Sequence, residues 1–235
     1  MKNLKNLWLS STILLGLVSS ILFSTTANAQ SQDRSFIREK IEEVGECRNV
    51  AITKTNGDLM LYGQNGWAAD GCPEGLIDAL DELTEDGEFI DDVQLTEDGA
   101  WLILYGDNGF VWNDIPEDLE DALEEFNDDA EIVTSVSFND DGDWIIISTE
   151  HIQTSDEDVT KWITDGIEDF GSVWATCVTD DAVIIVYEEG FLYDGEIPES
   201  LEEKLSETDI DVYRLKVSGD AWFFSDGKSK FDYWM

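Results

Sequence analysis

Apart from carboxylates, the chain has few residues that could carry out chemistry. Its 235 residues include one His, three Cys and 54 Asp+Glu against 13 Lys+Arg, a formal net charge of −41. His151 stands between Glu150 and Ile152 with no nucleophile motif nearby, which disfavours nucleophilic catalysis with a histidine base. Paired carboxylates could cleave a glycosidic bond, but among so many acids spacing alone selects no pair. We therefore expect no catalytic residues and no enzyme.

One acidic segment could hold a metal ion. Asn139-Asp140-Asp141-Gly142-Asp143 places four oxygen-bearing side chains within five residues. Because calcium prefers carboxylate oxygens, Asp140, Asp141 and Asp143 are the calcium candidates. Asp-Gly is also what a tight hairpin turn requires, and that interpretation is favoured. The sequence therefore predicts no cofactor, with calcium as the alternative.

The charge balance excludes several partners. Binding to nucleic acid or to anionic lipid depends on Lys and Arg, which are scarce here. With 42% hydrophobic and 11% aromatic residues, the chain is predicted to fold despite its charge. An acidic surface favours a partner with a basic surface, either protein or glycan. Adaptation to a saline habitat explains the acidity equally well.

Residues 1–29 predict a secretory signal peptide. Two lysines precede the apolar run Leu7–Phe23, and Ala27-Asn28-Ala29 supplies the small residues of a cleavage site. We therefore expect a periplasmic or extracellular protein with no membrane span after cleavage. An oxidising compartment would allow one disulfide among Cys47, Cys72 and Cys177, and its pairing cannot be read from the sequence.

An internal repeat organises the rest of the chain. The segment Tyr62–Trp67 matches Tyr105–Phe110 43 residues later, and Trp101 and Trp144 have the same separation. Gly190–Asp194 repeats the pattern again. Self-similarity at a fixed spacing is the sequence signature of a repeat architecture. The predicted units span approximately 47–86, 87–130, 131–170, 171–208 and 209–235.

The second unit shows the predicted elements most clearly. Ile90–Thr96 and Phe110–Asn113 flank Trp101–Tyr105, an unbroken apolar strand that is expected to be buried on both faces. A helix then opens near Pro116, with Asp114 as its expected cap. Each unit is therefore predicted to contain three strands followed by one amphipathic helix.

The two ends of the domain are incomplete in complementary ways. Residues 35–45 predict a helix with no strands before it, and 209–235 predict three strands with no helix after them. The predicted fold is a single α+β repeat domain, 30–235, of five βββα units of roughly 40 residues. The units are predicted to close into a propeller-like ring in which the N-terminal helix completes the C-terminal unit.

Two resemblances follow from these motifs. The pattern Trp101–Tyr105, Gly106–Phe110 and Ile115-Pro116 resembles a tandem repeat of secreted bacterial proteins of unknown function. The layout resembles the fivefold α/β-propeller, or pentein-like, architecture. Pentein enzymes use a Cys nucleophile, a His and acidic residues, but here His151 and the cysteines fall in different units. The resemblance therefore implies a layout and carries no activity.

Aromatic residues supply the candidate contact surface. Trp101, Trp144 and Trp222 share one repeated position, which favours a core layer. The third strands are shorter and flanked by Gly, so their aromatic residues are expected to reach a rim, as are those at the C-terminus. The binding candidates are Trp67, Phe110, Trp112, Phe191, Tyr193, Tyr233 and Trp234.

These observations favour one function and leave two alternatives open. The favoured interpretation is an exported, acidic repeat domain that acts as a non-enzymatic protein-binding module. The first alternative is a hydrolase that acts on an extracellular polymer through a carboxylate acid–base pair. The second is a calcium-binding envelope or matrix protein.

Overall fold

The computed structural model describes residues 34–235, so the predicted signal peptide lies outside the described residues. Five helices alternate with five antiparallel sheets, each a three-stranded meander. The predicted α+β repeat of five units is therefore confirmed. The elements are α1 Ser35–Val44, β1 Asn49–Ile52, β2 Asp58–Tyr62, β3 Gly66–Asp70, α2 Glu74–Asp86, β4 Ile90–Leu95, β5 Trp101–Tyr105, β6 Gly109–Asn113, α3 Glu117–Asp128, β7 Val133–Phe138, β8 Trp144–Ser148, β9 Ile152–Thr154, α4 Glu157–Phe170, β10 Val173–Val178, β11 Ala182–Tyr187, β12 Gly190–Gly195, α5 Glu199–Glu207, β13 Arg214–Ser218, β14 Ala221–Ser225 and β15 Phe231–Trp234.

The second unit shows how the sequence produces these elements. The turn between β4 and β5 requires Gly99, whose φ of 93° is costly for any residue with a Cβ. The prediction that Asp114 caps the next helix is wrong. Pro116 holds the N-cap position of α3, and no side chain caps that helix. Asp114 lies two residues before the N-cap and has a φ of 61°, because the chain turns out of β6 there.

The middle strand of each sheet is buried on both faces. Successive side chains of a strand point to opposite faces, so Trp101 and Ile103 join one apolar cluster while Leu102 and Leu104 join the next. The prediction from the unbroken apolar run is confirmed. The repeated Trp101, Trp144 and Trp222 are at most 5% exposed, which places them in the core as predicted.

Each helix packs between two successive sheets. In α2, Leu76 and Leu80 are fully buried and contact both the β1–β3 sheet and the β4–β6 sheet. Leucines four residues apart share one face of a helix, so a single apolar stripe is sufficient. Equivalent pairs are Leu119 and Leu123 in α3 and Leu201 and Leu205 in α5.

The third repeat is the least regular. Its last strand, β9, has only three residues. The helix α4 carries Gly166 against β11, where a Cβ would lie 2.3 Å from the hydroxyl oxygen of Tyr187. That hydroxyl donates a 3.1 Å hydrogen bond to the carbonyl of Ile163, so the small residue admits a buried tyrosine.

The N-terminal helix packs against both the first and the last sheet. Ile37 and Ile41 of α1 share an apolar cluster with Met60 of β2 and Phe223 of β14. At the start of α1, the guanidinium of Arg34 donates a 3.0 Å hydrogen bond to the Ser218 hydroxyl of β13. These contacts support ring closure. Each of the five sheets is open, however, and closure into a ring stays a prediction.

The first strands of the units lie beside one another and carry buried polar side chains. The Asp92 carboxylate accepts hydrogen bonds from the Asn49 amide at 2.6 Å and from the Lys216 ammonium at 2.8 Å. These three residues come from β1, β4 and β13. A further bond of 3.1 Å joins the hydroxyls of Ser135 in β7 and Thr176 in β10. Polar side chains thus link neighbouring first strands inside the fold.

Candidate functional site

An apolar cleft lies where four of the first strands begin. Its walls include Phe89, Ile132, Trp174 and Tyr213, and its volume is 480 Å³. Volumes of this size are typical of ligand pockets. Phe89, Ile132 and Tyr213 are three of the six large hydrophobic side chains that are exposed among residues 34–235. We refer to this depression as the apolar cleft.

A repeated irregularity of the backbone builds the apolar cleft. The strands β4, β7 and β10 each pair with the following strand, and each pairing shifts register at the same place. The shift leaves one residue of each first strand without a residue opposite it in the sheet: Asp91, Thr134 and Trp174. All three of these residues line the apolar cleft. A bulge re-aims a side chain out of its normal alternation, and bulges are common beside functional sites. The repeat therefore turns one residue of each of three units toward the same depression.

Paired charges form the polar part of the apolar cleft. A guanidinium nitrogen of Arg214 lies 2.6 Å from a carboxylate oxygen of Asp91. The same guanidinium donates to the carbonyls of Thr134 and Tyr213 at 3.3 and 2.7 Å. Its Nε is buried without an acceptor. Arg214 therefore connects three other residues of the lining: Asp91, Thr134 and Tyr213.

Aromatic contacts stiffen the same surface. The rings of Trp174 and Tyr213 are 4.9 Å apart, and the guanidinium of Arg48 lies 4.6 Å from the centre of the Phe89 ring. Arg48 is 4% exposed, and burial lowers the pKa of its guanidinium from the ordinary range. A cation held against an aromatic face stabilises both groups. Three of the aromatic walls therefore have contacts with neighbouring side chains.

A hairpin turn closes one side of the apolar cleft. Lys228 and Asp226 belong to the lining. Although burial opposes ionisation of Asp226, three backbone N–H groups of the turn donate to its carboxylate and lower its pKa. That carboxylate stabilises the turn, and it is therefore less available to form a hydrogen bond with another molecule.

A second pocket lies at the opposite end of the first strands. It is lined by one equivalent apolar residue from each of the five units: Ile52, Leu95, Phe138, Val178 and Val217. Its volume is only 80 Å³, and the surrounding hairpin turns are acidic. Burial raises the pKa of Asp180 there, and the charges of Asp140 and Asp141 raise it further.

The structure does not bring the calcium candidates together. The carboxylate of Asp140 accepts from the backbone N–H of Asp98 in the neighbouring turn, at 3.2 Å. Asp143 instead contacts the Asn139 amide within its own turn, and Asp141 is exposed. Among residues 34–235, no group of three or more His, Cys, Asp or Glu side chains is placed to hold a metal ion.

The predicted aromatic contact residues lie on different sheets. Most of them are half-buried and pack against an apolar cluster, as Trp67 and Trp112 do. The indole of Trp67 also donates a 3.1 Å hydrogen bond to the hydroxyl of Thr84. Tyr193 and Trp234, at 37% and 61% exposed, present the most surface. The others are Phe110, Phe191 and Tyr233, which also pack against the clusters of their units.

Sequence reasoning missed the walls of the apolar cleft. Phe89 and Ile132 are 43 residues apart, which is the repeat spacing, and each directly precedes a first strand. That signal was present in the sequence. The bulges that turn Asp91, Thr134 and Trp174 toward the same place could not be read from it, because a bulge shifts register without a fixed residue signature.

The His and Cys residues lie outside the apolar cleft. His151 is exposed, and its Nδ1 lies 2.6 Å from the Glu131 carboxylate, which also accepts from the Ser148 hydroxyl at 2.5 Å. The carboxylate thus stands between hydroxyl and imidazole, an order that does not match a catalytic triad. All three cysteines are free thiols, so the disulfide that the sequence left open is not formed.

Burial suppresses the reactivity of these thiols. It raises the pKa of Cys47 and of Cys72 to about 12, and that of Cys177 to about 11. The thiolate is the reactive form of cysteine, and at neutral pH it is suppressed at all three positions.

Two further observations bear on function. Within the part of the chain that the structure describes, no helix is both long and apolar enough to cross a membrane. Comparison of the chain with family models, with curated proteins and with solved structures finds no match.

Proposed function

We propose that this chain is an exported, non-enzymatic binding module that recognises a partner protein through the apolar cleft. The observation that supports the proposal is the concentration of exposed Phe89, Ile132 and Tyr213 in one depression of an otherwise acidic surface. Scattered apolar residues are ordinary on protein surfaces, whereas a grouped set with polar surroundings is typical of an interaction site. Export is supported by the sequence of residues 1–29 alone.

The acidic surface supports the same function. Acidic side chains cover the exposed faces of the helices, as Asp121, Glu124 and Glu125 do in α3. A surface with one sign of charge raises the rate at which an oppositely charged protein arrives and repels proteins of like charge. In this proposal the acidic surface guides the partner, and the apolar cleft holds it.

A matched pair of variants tests the proposal. Tyr213→Ser removes a wall of the apolar cleft, while Tyr193→Ser removes an equally exposed tyrosine on another sheet. The purified mature protein, immobilised, is used to capture proteins from the cell envelope and from the culture medium of the source organism. We expect Tyr213→Ser to lose the bound protein, Tyr193→Ser to keep it, and high salt to weaken its capture.

Other outcomes would overturn the proposal. Capture that is the same for wild type and Tyr213→Ser would remove the apolar cleft as the contact surface. Loss with Tyr193→Ser alone would move the contact to the third strands, where the sequence placed it. Thermal unfolding of both variants is measured first, because each replaced tyrosine is more than a third exposed and neither change should alter stability by much.

A further inference from the structure

We infer that the apolar cleft receives one large apolar side chain, preferably aromatic, from a basic segment of the partner protein. The inference deepens the proposed function and rests on it. The size of the depression is the first argument. A volume of 480 Å³ has room for a large side chain together with part of the backbone that carries it.

The chemistry of the walls favours an aromatic side chain. Phe89, Trp174 and Tyr213 come from three different units and face one depression. Aromatic pairs in offset or tilted contact are stabilised beyond their buried area. Such anchors in pockets carry most of the binding energy of protein interfaces.

The polar groups of the apolar cleft argue against a sugar. Recognition of a sugar needs side chains that are free to bond its hydroxyls, in addition to an aromatic platform. Here Asp91 is paired with Arg214, and the Asp226 carboxylate accepts three backbone N–H groups. Both carboxylates of the lining are therefore already occupied, so they are not available to bond the hydroxyls of a sugar.

The charge around the apolar cleft favours particular residues beside the inserted side chain. The lining holds two cations, Arg214 and Lys228, and two acids, Asp91 and Asp226, and the buried Arg48 adds a cation behind the Phe89 ring. Glu88 and Glu131, however, stand directly before the wall residues Phe89 and Ile132, and Asp211 stands two residues before Tyr213. The chain as a whole has a net charge of −41. A segment with Lys and Arg on both sides of its anchor is attracted, whereas an acidic segment is repelled.

Synthetic peptides test the inference directly. The probe is a short fluorescent peptide with a central tryptophan and lysine or arginine on both sides. One control replaces the tryptophan by alanine, and another replaces the basic residues by glutamate. Binding to the mature protein is measured by fluorescence anisotropy at about 0.05 M and about 0.5 M salt, where screening differs strongly.

We expect the alanine and glutamate peptides each to bind about tenfold more weakly than the probe. The protein variants are Ile132→Ser, in the wall of the apolar cleft, and Ile167→Ser, a similarly exposed isoleucine on α4. Only Ile132→Ser should weaken binding, and high salt should weaken binding of the probe.

The contrary results are equally specific. Equal binding of the alanine peptide, equal binding of the glutamate peptide, or equal loss in the two protein variants would overturn the inference. So would binding of neutral oligosaccharides that displaces the probe. If Tyr213→Ser abolishes capture of a partner but the peptides do not bind, the inference is wrong and the proposed function stands. If capture is unchanged in Tyr213→Ser, the proposed function itself is wrong.

Discussion

Ring closure makes a quantitative prediction about α1. If α1 fills the gap between the last and first sheets as α2 fills the gap between the first two, Ile37→Ala should destabilise the whole domain. Ile37 is fully buried and packs with Met60 and Phe223. The substitution removes three carbon groups at about 0.8 kcal/mol each, and the cavity left behind raises the cost to about 3 kcal/mol.

The comparison with a regular unit makes the measurement decisive. Leu76, at the equivalent place in α2, is also fully buried. Leu76→Ala should therefore cost about as much as Ile37→Ala, and each should lower the melting temperature by several degrees. Urea unfolding, monitored by Trp fluorescence, gives the free energy of unfolding of each variant, and the dependence of that free energy on urea concentration should be the same for both. A loss below about 0.5 kcal/mol for Ile37→Ala, beside a full loss for Leu76→Ala, would refute closure through α1.

Four further outcomes are expected. Burial raises the pKa of Asp58 to about 6 from its ordinary 3.8, so its contribution to stability is greatest below about pH 4 and is lost as pH rises through 6. Asp58→Asn should flatten this dependence of the melting temperature on pH, and an unchanged dependence would assign it to other groups. Lys216→Met removes the salt-bridge partner of the buried Asp92 and should lower the free energy of unfolding by about 3–5 kcal/mol. The double variant with Asp92→Asn should recover part of that loss, as measured by urea unfolding. Salt should raise the melting temperature by screening repulsion among the acids. Thiol titration in denaturant should find three free cysteines with or without reductant, since none is bridged.

The fold could be predicted from the sequence because its signals are repeated. An apolar strand such as Trp101–Tyr105 and a helix face such as Leu119 and Leu123 recur in nearly the same order in each unit. One degenerate copy, such as the three-residue β9, does not obscure the pattern. The cap of α3 was mispredicted because Asp114 is a good capping residue by type, but the chain path puts Pro116 at the N-cap.

The candidate site was less predictable because it depends on a backbone irregularity. Sequence reasoning looked for aromatic residues on the third strands, and most of these, such as Trp67 and Trp112, pack against the core. Trp174 lies in a first strand, where alternation alone does not indicate exposure. A register shift between Val173 and Ala175 brings it to the apolar cleft. Such shifts are set by the packing of neighbouring strands, which no local pattern records.

The net charge has a different meaning once burial is known. Arg34, Arg48 and Lys216 are buried, whereas Asp58 and Asp92 are the only buried acids in residues 34–235. The scarce cations are therefore used preferentially inside the fold, where Arg34 joins the first and last units and Lys216 neutralises Asp92. Because three cations and two acids are buried, the surface is one charge more negative than the sequence count. In the proposed function this charge attracts a basic partner. It also leaves few surface cations to form ion pairs between the outer elements, so the domain relies on its apolar clusters for stability.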